Sequence, residues 1–284
     1  MNIFEKIVVL GDAQLTEPTK MGLQAYSQTT ITYPTHTIPD EADQISTARD
    51  ADAIIVPWHT PITQTLLESC KKLKYIGATS TTLRGINLEA ATQKGIIVTN
   101  VSRYGDSFVA KFIFSRLTKL LPSFKHKTLG VVGPGAVGRE VVAAALKHQI
   151  QVQYYGPTRK PKMEARGITY MALTDLLAMS DVVSLHTPHD IPILGEREFK
   201  HLRPGSILVD TAVGNTINHE AFMEWISNPD NRAMFDLSIG KEKFKIYHKL
   251  PNVTAVPVVA GFTPESNEIR CKKILENIEH YLKN

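Results

Sequence analysis

The sequence predicts an α/β protein built from two parallel-sheet domains. Three observations carry that reading. The chain has 284 residues, and at about 150 residues per domain it has room for two. Hydrophobic residues make up 43% and charged residues 21%, a balance that excludes a disordered chain. Short β-branched runs alternate with longer helical patterns, as βα units feeding a parallel sheet do.

The first strand runs are Lys6–Leu10, Thr29–Tyr33, Ala53–Pro57, Lys74–Ala78 and Ile96–Thr99. Helical patterns lie between them near Thr19–Tyr26, Asp40–Arg49, Ile62–Cys70 and Asn87–Lys94, the last stopped by Gly95. Strands in this rhythm predict a small flavodoxin-like domain. A long helix follows over Asp106–Leu121, ended by Pro122, and Ser123–Lys127 reads as a polar linker. The second series has strands at Thr128–Val132, Gln151–Tyr155, Ile168–Tyr170, Asp181–His186, Ser206–Thr211, Ala233–Leu237 and Val253–Pro257. Its helices are Ala136–His148, Leu173–Ala178, Glu196–His201 and Asn218–Ser227, while Lys241–Lys245 reads as a solvated loop. A last helix, Pro264–Leu282, is expected to pack back on the first domain.

The net charge of +4 is small and spread along the chain, so it leaves no nucleic-acid footprint. The 2 cysteines, Cys70 and Cys271, are far apart. That excludes a disulfide framework and points to a reducing, cytoplasmic setting. No apolar run reaches the roughly 18 residues of a membrane span. The run Ile7–Leu10, beside Glu5 and Lys6, is too short and too charged for a signal peptide.

The strongest motif is Gly133-Pro134-Gly135-Ala136-Val137-Gly138, after the strand ending Val131-Val132 and before a helical run. In that context one glycine makes the tight turn, one lets the backbone approach a pyrophosphate, and one packs helix on strand. The helix start then offers N–H groups and a positive dipole end to phosphates. The turn therefore predicts a dinucleotide site. The next strand ends at Gly156 where NAD-binding chains place a carboxylate for the ribose 2′-hydroxyl. Thr158, Arg159 and Lys160 follow and suit a 2′-phosphate, so NADP is expected over NAD. A solvated basic loop is the competing reading.

Further stretches carry a family resemblance. They are Gly95–Val101, Tyr104-Gly105, Val109-Ala110, Ser180–Pro188, Leu202–Ala212, Phe235–Leu237, Pro251–Val253 and Ala260–Thr263. In order and spacing they resemble the D-isomer-specific 2-hydroxyacid dehydrogenase family. The resemblance implies a substrate domain of residues 1–101 plus 263–284 and a dinucleotide-binding Rossmann-like domain of 102–262, with a cleft between them. It implies hydride transfer on a small-molecule substrate and a homodimer formed through the nucleotide domain. It places Thr211, Ala212 and Val213 by the nicotinamide, Asp236 on its carboxamide, and His186, Thr187 and Pro188 along the adenosine half.

The chain departs from the family where the chemistry lies. The family's substrate-binding Arg is replaced by Val213, its proton-transferring His by Val258, and the Glu behind that His falls at about Lys241. General acid–base help is worth roughly 10²–10⁴-fold, and an Arg grips a carboxylate with two charge-assisted bonds. A valine does neither. Candidates to take over are His59, after a strand end and titrating in a useful range, Arg84 in the loop Gly77–Asn87, and Tyr104. A surface histidine and an exposed loop arginine are the alternatives for the first two. His186 and His189 have a metal-like spacing, but no nearby Cys or carboxylate completes it, so no metal is expected. Two functions follow: an NAD(P)-dependent oxidoreductase with a non-standard active site, or a catalytically silent dinucleotide-binding protein.

Overall fold

The computed structural model describes residues 3–34, 36, 40–188 and 192–284. They divide into two compact units, residues 1–104 with 264–284 and residues 105–263. No helix among the described residues is long and apolar enough to cross a membrane.

In the first unit, β1 (Ile7–Val9), β2 (Ala53–Val56), β3 (Tyr75–Ala78) and β4 (Ile97–Thr99) form a parallel sheet in that order. β1 to β3 are buried along their whole length, which is why they read as unbroken apolar runs. Side chains start the helices between them: Asp40 accepts from Asp43 N, Thr63 from Leu66 N and Asn87 from Ala90 N.

The expected strand Thr29–Tyr33 is not formed. Gln24 takes the backbone groups a neighbouring strand would use: its Oε1 accepts from Ile31 N at 3.0 Å and its Nε2 donates to Thr29 O at 3.0 Å. Pairing there shrinks to an isolated bridge, Phe4 to Ser27. The strand order is the flavodoxin order without its second strand. Helix Pro264–Lys283 closes this core, burying Ile274 and Ile278 against Phe4, Ile7, Tyr75 and Val101.

In the second unit, β5 (Thr128–Val132), β6 (Gln151–Tyr155), β7 (Thr169–Tyr170), β8 (Val182–Leu185), β9 (Ile207–Asp210), β10 (Arg232–Phe235) and β11 (Val253–Ala255) form one parallel sheet. The order is β11-β10-β9-β8-β5-β6-β7. The order reverses between β5 and β8, the point where such sheets bind ligands outside their carboxyl ends.

Two expectations are corrected here. Ser123–Lys127 is no linker between domains. It lies inside the second unit, where Phe124 packs against Phe114 and His148 with ring centroids 6.0 and 5.0 Å away. Lys241–Lys245 is no loop but part of helix Lys241–Tyr247. Its polar face is solvated, and Tyr247 anchors it, fully buried 4.6 Å from the Phe222 ring.

Candidate functional site

The glycine turn leaves β5 at the switch point and enters helix Ala136–Lys147. Each glycine has its own reason. Gly133 has φ +90°, and a Cβ there would meet His186 O at 2.5 Å. A Cβ on Gly138 would press into Gly133 O, so this glycine packs helix on turn. Gly135 is exposed, and a Cβ there would meet nothing within 4 Å. The protein itself does not require Gly135 to be small. An approaching ligand would. Pro134 is buried and packs on Gly156, whose added Cβ would lie 2.9 Å from the proline Cδ.

The neighbouring strand ends supply the rest of this surface. After β8, His186 donates its backbone N–H to Val132 O at 2.8 Å, and its Nε2 lies 2.8 Å from Ser184 Oγ. Desolvation pulls its pKa down to about 4, so the ring is neutral at physiological pH. Thr187 Oγ1 and Thr211 Oγ1 are buried with no hydrogen-bond partner among the described residues. Buried hydroxyls are normally satisfied, so this pair, beside a turn that tolerates a close ligand, fits a dinucleotide. Gly133, Pro134, Gly135 and Gly138 would shape the turn around its phosphates, and Ala136 and Val137 at the helix start would offer backbone N–H groups to them, since the N–H groups of Gly133 and Gly135 are donated to Tyr155 O and Gly133 O.

β9 ends in Asp210, which is 1% exposed. Its Oδ1 accepts from Ala212 N at 3.0 Å and its Oδ2 from the Thr216 hydroxyl. Burial pushes its pKa up to about 7. Lys243, half-buried on the helix after β10, reaches Asn215 Oδ1 at 2.5 Å, and burial lowers its pKa. After β10, Asp236 accepts from Ala260 N at 2.6 Å, Ser238 N at 2.9 Å and Ser238 Oγ at 3.1 Å. Those bonds tie the segment after β11 to the turn after β10. Val213 follows the carboxyl end of β9 and Val258 and Val259 that of β11, and they are 48%, 45% and 44% exposed.

Residues 96–260 match the family described as D-isomer specific 2-hydroxyacid dehydrogenase, NAD binding domain. The chain belongs to this family. It is an NAD-dependent oxidoreductase of two parallel-sheet units. It is 26% identical over 283 residues to the glyoxylate reductase of Thermococcus litoralis, covering 86% of this chain and 85% of that protein. It is 24% identical to the hydroxypyruvate reductase of Blautia hydrogenotrophica over 98% and 97% of the two chains. Among solved structures, an acyclic imino acid reductase in complex with NADPH and D-Arg superposes with a TM-score of 0.81 at 24% identity, covering 98% of this chain and 97% of that one. A cofactor (NAD+) bound 3-phosphoglycerate dehydrogenase of Entamoeba histolytica gives 0.79 at 22%, covering 100% of this chain and 96% of that one.

Val213 and Val258, the positions at which the resemblance implies the family's Arg and His, are both exposed. The resemblance assigned Asp236 to a carboxamide, yet most of its bonding capacity is spent on Ser238 and Ala260. The three substitute candidates all lie in the first unit. His59 is exposed, edge-on to Trp58 at 5.5 Å. Arg84 is exposed in an adjacent loop, where its N–H donates to Thr82 Oγ1 at 3.2 Å. The two loops are joined by Ile62 N donating to Gly85 O at 2.7 Å, and a small depression there is lined by Trp58, Thr60, Ser80 and Thr82. Tyr104 stands apart, half-buried against the core of the C-terminal helix. His189 lies outside the described residues.

The 2′-phosphate candidates are gathered on one loop but not equally available. Thr158 Oγ1 and Lys160 Nζ are 3.2 Å apart, whereas Arg159 pairs with Glu164. Sequence reasoning passed over Asp210, Glu164 and Arg270. An acid closing the apolar run Ile207-Leu208-Val209 was a visible signal for the first. Arg270 is 5% exposed and donates to Thr79 O at 3.0 Å, Ala13 O at 2.8 Å and Gln14 O at 3.0 Å. It binds the loops after β1 and β3 to helix 264–283.

Proposed function

We propose that the second unit binds NADP(H) in preference to NAD(H) and that the enzyme transfers hydride to or from a small substrate held without an Arg clamp. The observation that carries the cofactor choice is the end of β6. Gly156 stands where a ribose-binding carboxylate would be, and exposed Thr158 and half-exposed Lys160 follow it. A carboxylate there would repel a 2′-phosphate, whereas a hydroxyl and an ammonium attract one. Thr211, Ala212 and Val213 would flank the nicotinamide, and His186, Thr187 and Pro188 the adenosine half. His59 and Arg84 are the first-unit side chains proposed for proton transfer and anion binding, with Tyr104 a further donor. A homodimer through residues 105–263 completes the reading.

The substrate class follows from what the valines cannot do. The bound cofactor supplies the hydride. A carbonyl also needs a proton at its oxygen, which Val258 cannot give, so His59 would have to. A second reading is favoured by the same valines. A protonated imine brings its own proton and is already polarised for hydride, so it needs no acid at 258, and Arg84 would be left to hold its carboxylate. The imino acid reductase with the similar fold makes that class worth testing.

Fluorescence titration with NADPH and NADH tests the cofactor. A several-fold tighter NADPH constant is expected, and equal constants would end the preference. NADPH oxidation is then followed with glyoxylate, hydroxypyruvate and simple aldehydes, each with and without ammonia. Turnover that requires ammonia selects the imine. Turnover without it, lost in His59→Ala, selects the carbonyl. Tight NADPH binding with no turnover at all would favour a silent binder.

A further inference from the structure

We propose that Glu164, a specificity-determining carboxylate, competes with the coenzyme's 2′-phosphate for Arg159 and limits the preference for NADPH by holding that guanidinium. The inference rests on the reading that the 156–160 loop receives that phosphate.

Glu164 ends the short helix Pro161–Glu164 and points back at the loop. Arg159 meets it through two nitrogens: Nη2 pairs with Oε2, and Nε donates to Oε1 at 3.2 Å. This is the two-point geometry by which a guanidinium would grip a phosphate. Oε1 also accepts from the Tyr154 hydroxyl at 2.7 Å, and the Tyr154 oxygen accepts from Lys160 N at 2.5 Å. One carboxylate therefore holds the loop twice, by the Arg159 side chain and, through Tyr154, by the Lys160 backbone.

The partners differ in freedom. The Arg159 side chain is 66% exposed, 5.4 Å over the Tyr170 ring, while that of Glu164 is 24% exposed. The carboxylate is the fixed member and the guanidinium the one that solvent or a ligand can reach. Its hydrogen bonds from Arg159 and Tyr154 hold the Glu164 pKa below the usual carboxylate range, so it is ionised at neutral pH. A phosphate arriving at Thr158 and Lys160 meets this negative charge and must draw Arg159 away from it. A coenzyme with a bare 2′-hydroxyl does neither.

Titrating wild type, Glu164→Gln, Arg159→Ala and the double variant with NADPH and NADH at low salt tests the proposal. Glutamine keeps an acceptor for Tyr154 and removes the charge. Glu164→Gln should tighten NADPH about two- to fivefold, the range for an exposed ion pair, with NADH unchanged. Arg159→Ala should weaken NADPH, and the double variant should show no gain. The proposal is overturned if Glu164→Gln leaves NADPH binding unchanged, if NADH tightens equally, or if the gain survives without Arg159. Should Glu164→Gln not fold, Arg159→Ala decides alone: unchanged NADPH affinity in that folded variant overturns the proposal. Equal NADPH and NADH constants in wild type would instead remove the underlying cofactor reading.

Discussion

Gly135 separates two explanations of the glycine turn. If the turn were only architectural, a side chain at 135 would be as harmful as one at 138. The structure says otherwise. A Cβ at Gly135 meets nothing within 4 Å, and its φ of −77° is open to any residue. Gly135→Ala should therefore change stability by less than about 0.5 kcal/mol, or add up to about 1 kcal/mol by restricting the unfolded chain. A Cβ at Gly138 would press on backbone oxygen, so Gly138→Ala should cost about 1–3 kcal/mol. Coenzyme affinity should respond in the opposite sense. The new methyl at 135 holds the pyrophosphate off the helix N–H groups, and one lost hydrogen bond to a charged group is worth about 1.5–3 kcal/mol. That is roughly tenfold to over a hundredfold in Kd. Urea denaturation gives the first quantity and NADPH fluorescence titration the second. A stable Gly135→Ala protein that binds NADPH like wild type would show that no pyrophosphate lies on this turn.

Arg270→Met should destabilise the first unit by about 2–4 kcal/mol, because the carbonyls of Ala13, Gln14 and Thr79 lose a charged donor; urea titration would contradict this if the midpoint were unmoved. Asp210 and His186 should pull stability against pH in opposite directions. The folded pKa of Asp210 is raised from 3.8 to about 7, so its contribution is present below pH 4 and is lost as pH rises through 7. The folded pKa of His186 is lowered from 6.5 to about 4, so its contribution is present above pH 6.5 and is lost as pH falls through 4. Asp210→Asn should thus gain stability relative to wild type between pH 4 and 7, and His186→Asn should lose its acid sensitivity over pH 6.5 to 4. Parallel pH profiles for variant and wild type in thermal melts would refute either. Val213 is exposed, so an arginine fits there without overpacking. Val213→Arg should lower KM for glyoxylate about tenfold if 213 borders the substrate, and an unchanged KM would place the substrate elsewhere.

The fold was largely legible because parallel strands announce themselves. β5 and β6 were read to their end residues, β5 because its run is largely apolar and buried, β6 because Val152, Tyr154 and Tyr155 favour a strand despite Gln151 and Gln153. Thr29–Tyr33 has the same β-branched look, but a strand needs a partner ladder, and Gln24 had already taken its backbone groups. Helix Lys241–Tyr247 was missed for the reverse reason. Its charged residues looked solvated, and Tyr247, reaching a ring cluster formed by Phe222 and Phe235, marks the buried side with half-buried Phe244. Arg270 had a signal that went unused: it lies four and eight residues before buried Ile274 and Ile278, on the same helix stripe.

The glycine spacing, the missing acid at Gly156 and the valines at 213 and 258 are local facts, settled by residue type and order alone. They set the expectation of where a dinucleotide is gripped and of which family groups are lacking. What each polar side chain does with its charge is a matter of partners distant in the chain. Folding alone decides that Arg270 serves three carbonyls, that Asp236 spends its oxygens on Ala260 and Ser238, and that Asp210 is buried deeply enough to approach neutrality. A hydrogen bond is made within about 3 Å, and no spacing along a sequence measures that distance.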